Sequence, residues 1–125
     1  MKILWVENHK AFVTIALKSI LSAHDVTVTP TLTGARAAFA CDRFDAILVD
    51  FDLDDGKGNE LVKEIAADDK RPIIVACSSH AEGNAQLIRA AADAVCSKMK
   101  FQDIDFVLEI ATQTRSSNRG ALAGL

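Results

Sequence analysis

The stretch Ala46-Ile47-Leu48-Val49-Asp50-Phe51-Asp52-Leu53-Asp54-Asp55-Gly56 decides how this chain folds. Four apolar residues run into Asp50, and a loop with three further acids follows. A continuous apolar run of this length predicts a strand buried on both faces. A carboxylate at the C-terminal end of such a strand lies where open α/β sheets build their sites. By itself Asp50 also reads as a turn cap beside solvated acids. What separates the two readings is what the rest of the chain brings to the same edge.

Outward from this strand, apolar runs and amphipathic stretches alternate. Ile3 to Val6 predicts a first strand ending in Glu7-Asn8-His9, and a helix from about Lys10 carries Phe12, Ile15, Ala16, Ser19 and Ile20 on one stripe. Asp25 to Thr29 alternates with β-branched residues and stops at Pro30, and Thr33 is a candidate cap for a short helix through Ala40. Beyond Asp50, Gly56 and Gly58 break the acidic loop, and Asn59 is a candidate cap for a helix over Leu61, Val62 and Ile65. Pro72 opens a fourth strand from Ile73 to Ala76 or Cys77, and Asn84 starts an alanine-rich helix. Ala94 to Ser97 is a short fifth strand before Lys98, and the last helix turns Ile104, Val107, Leu108 and Ala111 inward. Five such alternations with short connections predict an α/β fold, a doubly wound five-stranded parallel sheet in order 2-1-3-4-5, with two helices on one face and three on the other. From Thr112 the periodicity fades and Ser, Gly, Asn and Arg accumulate. The domain is therefore expected over residues 1–112, with 113–125 a frayed tail or linker stub.

Composition narrows the function. A chain of 125 residues suits one domain, and half of them are hydrophobic, so roughly two-thirds of the unfolded surface can be buried. A formal charge of −3 argues against nucleic acid or an anionic membrane as a direct partner. Cys41, Cys77 and Cys96 form no metal-type cluster, and their odd number with two in apolar runs predicts reduced thiols in a cytoplasmic protein. The apolar run at the N-terminus is too short for a signal peptide or a membrane span.

The expected topology gathers Glu7 and Asn8, Asp50 and Asp52, Cys77 or Ser78, and Lys98 on one sheet edge. Oxygen donors from Glu7, Asn8 and Asp50 suit a hard cation such as Mg²⁺. Two carboxylates about 4 Å apart repel by roughly 4 kcal/mol at an effective dielectric of 20, so a cation or lysine must offset them. Such a carboxylate, beside a hydroxyl and a lysine, can accept a phosphoryl group as nucleophile.

Four segments then resemble the response-regulator receiver domain of two-component signalling, over about residues 2 to 112. ILWVEN resembles its first strand with two acids, and LVDFDLDDGKG its phosphoacceptor motif from Asp50 to Gly58. PIIVACSSHA resembles its Pro-strand-Thr/Ser motif, and AADAVCSK the segment ending in its lysine. The resemblance implies that Asp50 is the phosphoacceptor, that Lys98 holds a phosphoryl oxygen, and that Ser78 supplies the hydroxyl. It also implies weakly bound Mg²⁺ at Glu7, Asn8, Asp50 and the Asp52 main-chain carbonyl. A sensor histidine kinase or phosphotransfer protein would donate the phosphoryl group, and a downstream protein would read it. The hydroxyl position is open: counting from Pro72 gives Cys77, whereas matching SSHA to the family's TAHA pattern gives Ser78, which a thiol's weaker hydrogen bonding favours.

The chain also departs from the pattern. Asn8 replaces the direct metal-binding aspartate, Asp54 and Met99 replace two prolines, and Val95 replaces the switch aromatic. A cis bond before a non-proline costs about 3–4 kcal/mol, so Lys98–Met99 is expected to be trans. These departures keep a second reading open, a phosphorylation-independent pseudo-receiver that binds a protein. Asp50-Phe51-Asp52 also resembles the DxD motif of haloacid-dehalogenase-type phosphatases, but those carry it after their first strand and need a further acidic pair after the lysine strand. Self-phosphorylation and self-dephosphorylation of Asp50 are the most enzymatic activity expected.

Overall fold

The computed structural model describes the backbone of residues 1–123 and side-chain surroundings for residues 1–117. The elements are β1 (Lys2–Val6), α1 (Lys10–Lys18), β2 (Asp25–Thr29), α2 (Leu32–Cys41), β3 (Ala46–Val49), β4 (Asp52–Leu53), β5 (Gly56–Lys57), α3 (Gly58–Ala66), β6 (Ile73–Ala76), α4 (Ala81–Arg89), β7 (Ala94–Val95) and α5 (Ile104–Ala123), with a 3₁₀ segment, Lys98–Asp103, leading into α5. Five strands form one sheet in the order β2-β1-β3-β6-β7, every pair parallel. This is the doubly wound order expected from the alternation of strands and helices. The short antiparallel pair β4–β5 stands apart from it; two residues per strand are too few to show a period in sequence.

Strand alternation divides the core. Leu4, Val6, Ile47, Val49, Ile74 and Ala76 pack with α2, α3 and α4 residues such as Leu32, Leu61 and Leu87. Ile3, Trp5, Leu48, Val75 and Cys77 pack with α1 and α5, against Ala16, Ile104 and Leu108. Burial on both faces removes the polar alternation of a half-exposed strand and leaves unbroken apolar runs.

Several helix starts and one stripe differ from expectation. Thr31, not Thr33, caps α2, its Oγ1 accepting from Gly34 N; Thr33 instead spends its hydroxyl on Asp55. α3 begins at Gly58 with no side-chain cap, so Asn59 lies inside the helix. On α1 the inner stripe runs through Phe12, Val13, Ala16, Leu17 and Ile20, while Ile15 is exposed. The last helix passes Thr112 and continues to Ala123, and residues 124–125 of the expected tail lie outside the described residues. Thr112 Oγ1 donates to Leu108 O, and Arg115 Nη1 donates to Arg71 O at 2.8 Å, tying this part of α5 to the sheet's other edge. Such cross-chain anchoring has no local sequence signal.

Candidate functional site

The C-terminal ends of β1, β3 and β6 lie side by side, and the row beyond the last paired residues carries the polar groups. Val6, Val49 and Ala76 are in register; one residue on come Glu7, Asp50 and Cys77, held by Glu7 N→Thr29 O, Asp50 N→Val6 O and Cys77 N→Val49 O. Glu7 and Asp50 are only 2 % and 5 % exposed. Lys98 reaches over from beyond β7. Its ammonium is 2.8 Å from Glu7 Oε1, donates to Glu7 Oε2 at 3.0 Å, and donates to Asp50 Oδ2 at 3.1 Å. Asp50 Oδ1 accepts from Phe51 N at 2.8 Å, and Glu7 Oε2 also accepts from Asn8 N and His9 N. The structure thus brings together Glu7, Asp50 and Lys98, which lie far apart in sequence.

Charge balance follows from burial. Burial pushes the Glu7 carboxyl above its ordinary range, and the Asp50 charge adds to this against the pull of Lys98 and the His9 amide. Burial alone would lower Lys98; its hydrogen bond to Glu7 and the charges of Glu7 and Asp50 outweigh that and raise it. The lysine is therefore firmly charged, and one ammonium serves two buried carboxylates.

The residues that sequence left open take distinct places. Cys77, in the same row as Asp50, packs its thiol into the core beside α1 and α5, and burial drives its pKa well up, with the nearby Cys96, Glu7 and Asp50 adding to this. Ser78 is the next residue. Its Oγ accepts from His80 N at 3.2 Å, and its backbone is held on both sides by the Asn84 amide. A Cβ on Gly83 would come within 2.7 Å of Ser78 Oγ, so this hydroxyl lies against α4. The register thus sets a thiol, rather than the Ser78 hydroxyl, beside Asp50 in the sheet. Asn84 was expected to start a helix; it is a buried strut in the second turn of α4. Asn8 turns its Nδ2 to Asp54 Oδ1 at 3.0 Å, and exposed Asp52 pairs with Lys57. His9 is exposed and caps α1, accepting from Phe12 N at Nδ1. No described peptide bond is cis, Lys98–Met99 included.

Gly58 sets how closely α3 approaches this edge. A Cβ there would sit 2.0 Å from the Asp50 carbonyl oxygen and 2.8 Å from Val49 Cγ1. Gly58→Ala must displace the end of β3 or the helix, and overpacking of this kind costs about 1–3 kcal/mol. The expected result is a lower melting temperature with an altered environment at Asp50, read by thermal unfolding and by amide chemical shifts of residues 50–58.

A divalent cation is tested by the donors present. Glu7, Asp50 and the Asn8 amide carbonyl are all oxygen donors, and the buried Glu7 Oε1 accepts no hydrogen bond, having only its ion pair with Lys98. That chemistry fits a hard ion. Among the described residues, however, no three carboxylate, imidazole or thiol groups converge closely enough to grip one directly.

Comparison with known proteins agrees with this fold. Residues 3–108 match the family model of the response regulator receiver domain. The receiver domain of a Francisella response regulator superposes with a TM-score of 0.77 at 15% identity, over 91% of this chain and 98% of that one. The receiver domain of a sensor histidine kinase from Pseudomonas aeruginosa, described with a magnesium ion in its active site cleft, gives 0.76 at 24% identity, over 86% and 93%. A phosphorylated cyanobacterial phytochrome response regulator gives 0.69 at 22% identity, over 82% and 86%. At these identities the structural likenesses speak for the fold alone. No curated protein sequence matches the chain.

Proposed function

The chain belongs to the response regulator receiver family, and from that membership we propose that it is a cytoplasmic phosphoacceptor module that takes a phosphoryl group on Asp50. The observation that carries this reading is the Lys98 ammonium shared between two buried carboxylates, Glu7 and Asp50. A carboxylate oxygen of Asp50 attacks the donor phosphorus, and the bond from phosphorus to the donor's imidazole nitrogen breaks. The electron pair leaves with that nitrogen, and the phosphoryl group becomes an acyl phosphate on Asp50. Lys98, already donating to Asp50 Oδ2, follows the growing charge onto a phosphoryl oxygen, an electrostatic contribution of the kind that dominates phosphoryl transfer. Mg²⁺ held by Glu7, Asn8, Asp50 and the Asp52 carbonyl would supply further positive charge beside the same oxygens. The Ser78 hydroxyl would have to leave its bond from His80 N to meet the group.

The donor in this reading is a sensor histidine kinase or phosphotransfer protein. The reader is a protein that docks on the face of α4, β7 and α5, where Ile88, Val95, Met99, Phe106 and Ile110 are exposed. The receiver domain covers residues 1–112, and its last helix runs past that bound to Ala123. Among the described residues no helix is long and apolar enough to cross a membrane.

One observation favours the pseudo-receiver instead. Cys77, a core-packed thiol, occupies the row beside Asp50, and the Ser78 hydroxyl is engaged by the His80 amide. Both readings are tested by incubating the protein with a small acyl-phosphate donor and Mg²⁺ and weighing it intact. The receiver predicts one labile phosphoryl adduct on the wild type and none on Asp50→Asn. An unmodified wild type at every Mg²⁺ concentration selects the pseudo-receiver.

A further inference from the structure

We propose that Cys77 and Cys96 form a redox pair, closing to a reversible cross-strand disulfide when a small peroxide reaches them. Sequence spacing hides the pair, since a whole helix, α4, lies between the two thiols. The strand ladder brings them together. β6 and β7 are parallel, with Val75 opposite Ala94 and Ala76 opposite Val95. The ladder runs on past these residues, Cys96 N donating to Ala76 O at 2.8 Å and Lys98 N to Ser78 O at 3.4 Å. Bonds that step by two on both strands keep the register, so Cys77 stands opposite Cys96.

Facing and distance also suit the bond. Both side chains lie in the core cluster packed with α1 and α5, on the same face of the sheet. Neighbouring strands run about 4.8 Å apart, within the Cα separation of roughly 4.4–6.8 Å that disulfides span. The two thiols are free, and each rests on a carbonyl, Cys77 Sγ on Val75 O at 3.7 Å and Cys96 Sγ on Lys100 O at 3.4 Å. Closing the bond exchanges these weak contacts for an S–S bond through rotation about χ1. Burial pushes the Cys77 thiol well up, with Cys96 the first neighbour to add to this, and burial raises Cys96 to about 11. Both therefore stay protonated at neutral pH, and the pair reacts more slowly than exposed Cys41.

Cys96 is the thiol that the oxidant meets first, because it follows exposed Val95 and precedes half-buried Ser97 at the edge of the sheet. Its sulfur attacks one peroxide oxygen, the O–O bond breaks, and the other oxygen leaves as water with the thiol proton. The product is a sulfenic acid. The Cys77 sulfur then attacks the Cys96 sulfur, the S–O bond breaks, and the Cys77 proton leaves with the hydroxide as a second water. One peroxide is reduced to two waters, and two thiols are oxidised to one disulfide. The bond ties the end of β6, where Cys77 shares a row with Asp50, to the segment that carries Lys98.

The test is treatment of the folded full chain with hydrogen peroxide, in a Cys41→Ser background that removes the exposed thiol able to join two chains. Intact mass and alkylation in denaturant are the readouts. The protein is expected to become two hydrogens lighter and to lose both alkylatable thiols, with residues 77 and 96 joined in a peptide map and freed again by a reductant. Moving the second thiol by one residue, Val95→Cys with Cys96→Ser, turns it to the opposite face and is expected to abolish the link. Thiols that stay alkylatable, or that each gain oxygen without joining, overturn the proposal, as does a shifted pair that joins as fast as the native one. The bond does not require Asp50 to accept a phosphoryl group, so a protein that takes none and still forms the link leaves this proposal standing.

Discussion

Lys98→Met is expected to lower stability by about 3–5 kcal/mol at neutral pH without divalent cations, the cost of leaving a buried ion-pair partner uncompensated. For a domain of this size that is a fall in melting temperature on the order of 10–20 °C. Methionine keeps most of the lysine's length and packing, so the loss reports the charge. The pH dependence carries the sign. Burial already holds Glu7 above its ordinary range in the wild type, with Lys98 pulling the other way; without Lys98 the carboxyl rises further. A folded-state pKa raised above the unfolded one gives stability that is present below the unfolded value and lost as pH rises through the folded value. The variant should therefore regain stability in mild acid. Wild-type Lys98 is itself raised by Glu7 and Asp50 against the effect of burial, so the lysine's own contribution persists until alkaline pH. Thermal unfolding of both proteins from mild acid to alkaline pH, in chelator, checks this. A variant as stable as the wild type at neutral pH would show that the triad is not a buried electrostatic unit.

Asp93→Ala is expected to cost about 3 kcal/mol, at the opposite edge of the sheet. Arg71 Nη1 and Nη2 donate to the two Asp93 oxygens at 2.7 and 2.8 Å, and Ile74 N donates to Oδ2 at 2.8 Å, at the start of β6. Both side chains are largely buried, at 18% and 13% exposed. Truncation leaves the Arg71 guanidinium half-covered with its fork empty, and removes the acceptor of the Ile74 amide near the start of β6. It also loosens the segment where Arg115 binds the Arg71 carbonyl, so β6, β7 and α5 should lose amide protection together. Here the sign is opposite to that at Lys98. Burial would raise Asp93, but the Arg71 hydrogen bond, the Ile74 amide and the charges of Arg71 and Arg115 hold it below its ordinary value. Its stabilisation is present above the unfolded carboxylate pKa of about 3.9 and is lost as pH falls through the lower folded value. The gap between wild type and variant should be full at neutral pH and close in strong acid. Urea unfolding at several pH values measures it, and a gap independent of pH would mean that packing, not charge, makes the contribution.

What the sequence determined by itself is the frame and its main charges. Three buried parallel strands leave apolar runs that need no partner to be recognised, because both faces of each strand are covered. Their alternation with amphipathic helices restricts the topology to a few right-handed windings, and the observed order follows. Winding then obliges Glu7, Asp50 and Lys98 to meet on one edge, since each directly follows a strand or its short extension. What only the tertiary structure decided depends on register and on groups remote in sequence. Cys77 or Ser78 beside Asp50 is a matter of one residue, and a one-residue step turns a side chain to the other face of a strand; only the pairing of Val49 with Ala76 shows which one stands in the row. The Asn8–Asp54 bond joins two loops whose separate departures look unrelated in sequence. The caps at Thr31 and His9 and the Arg71–Asp93 pair likewise depend on exact chain placement. Local composition records how much surface an element buries, whereas which polar atoms meet is set by how the buried elements pack.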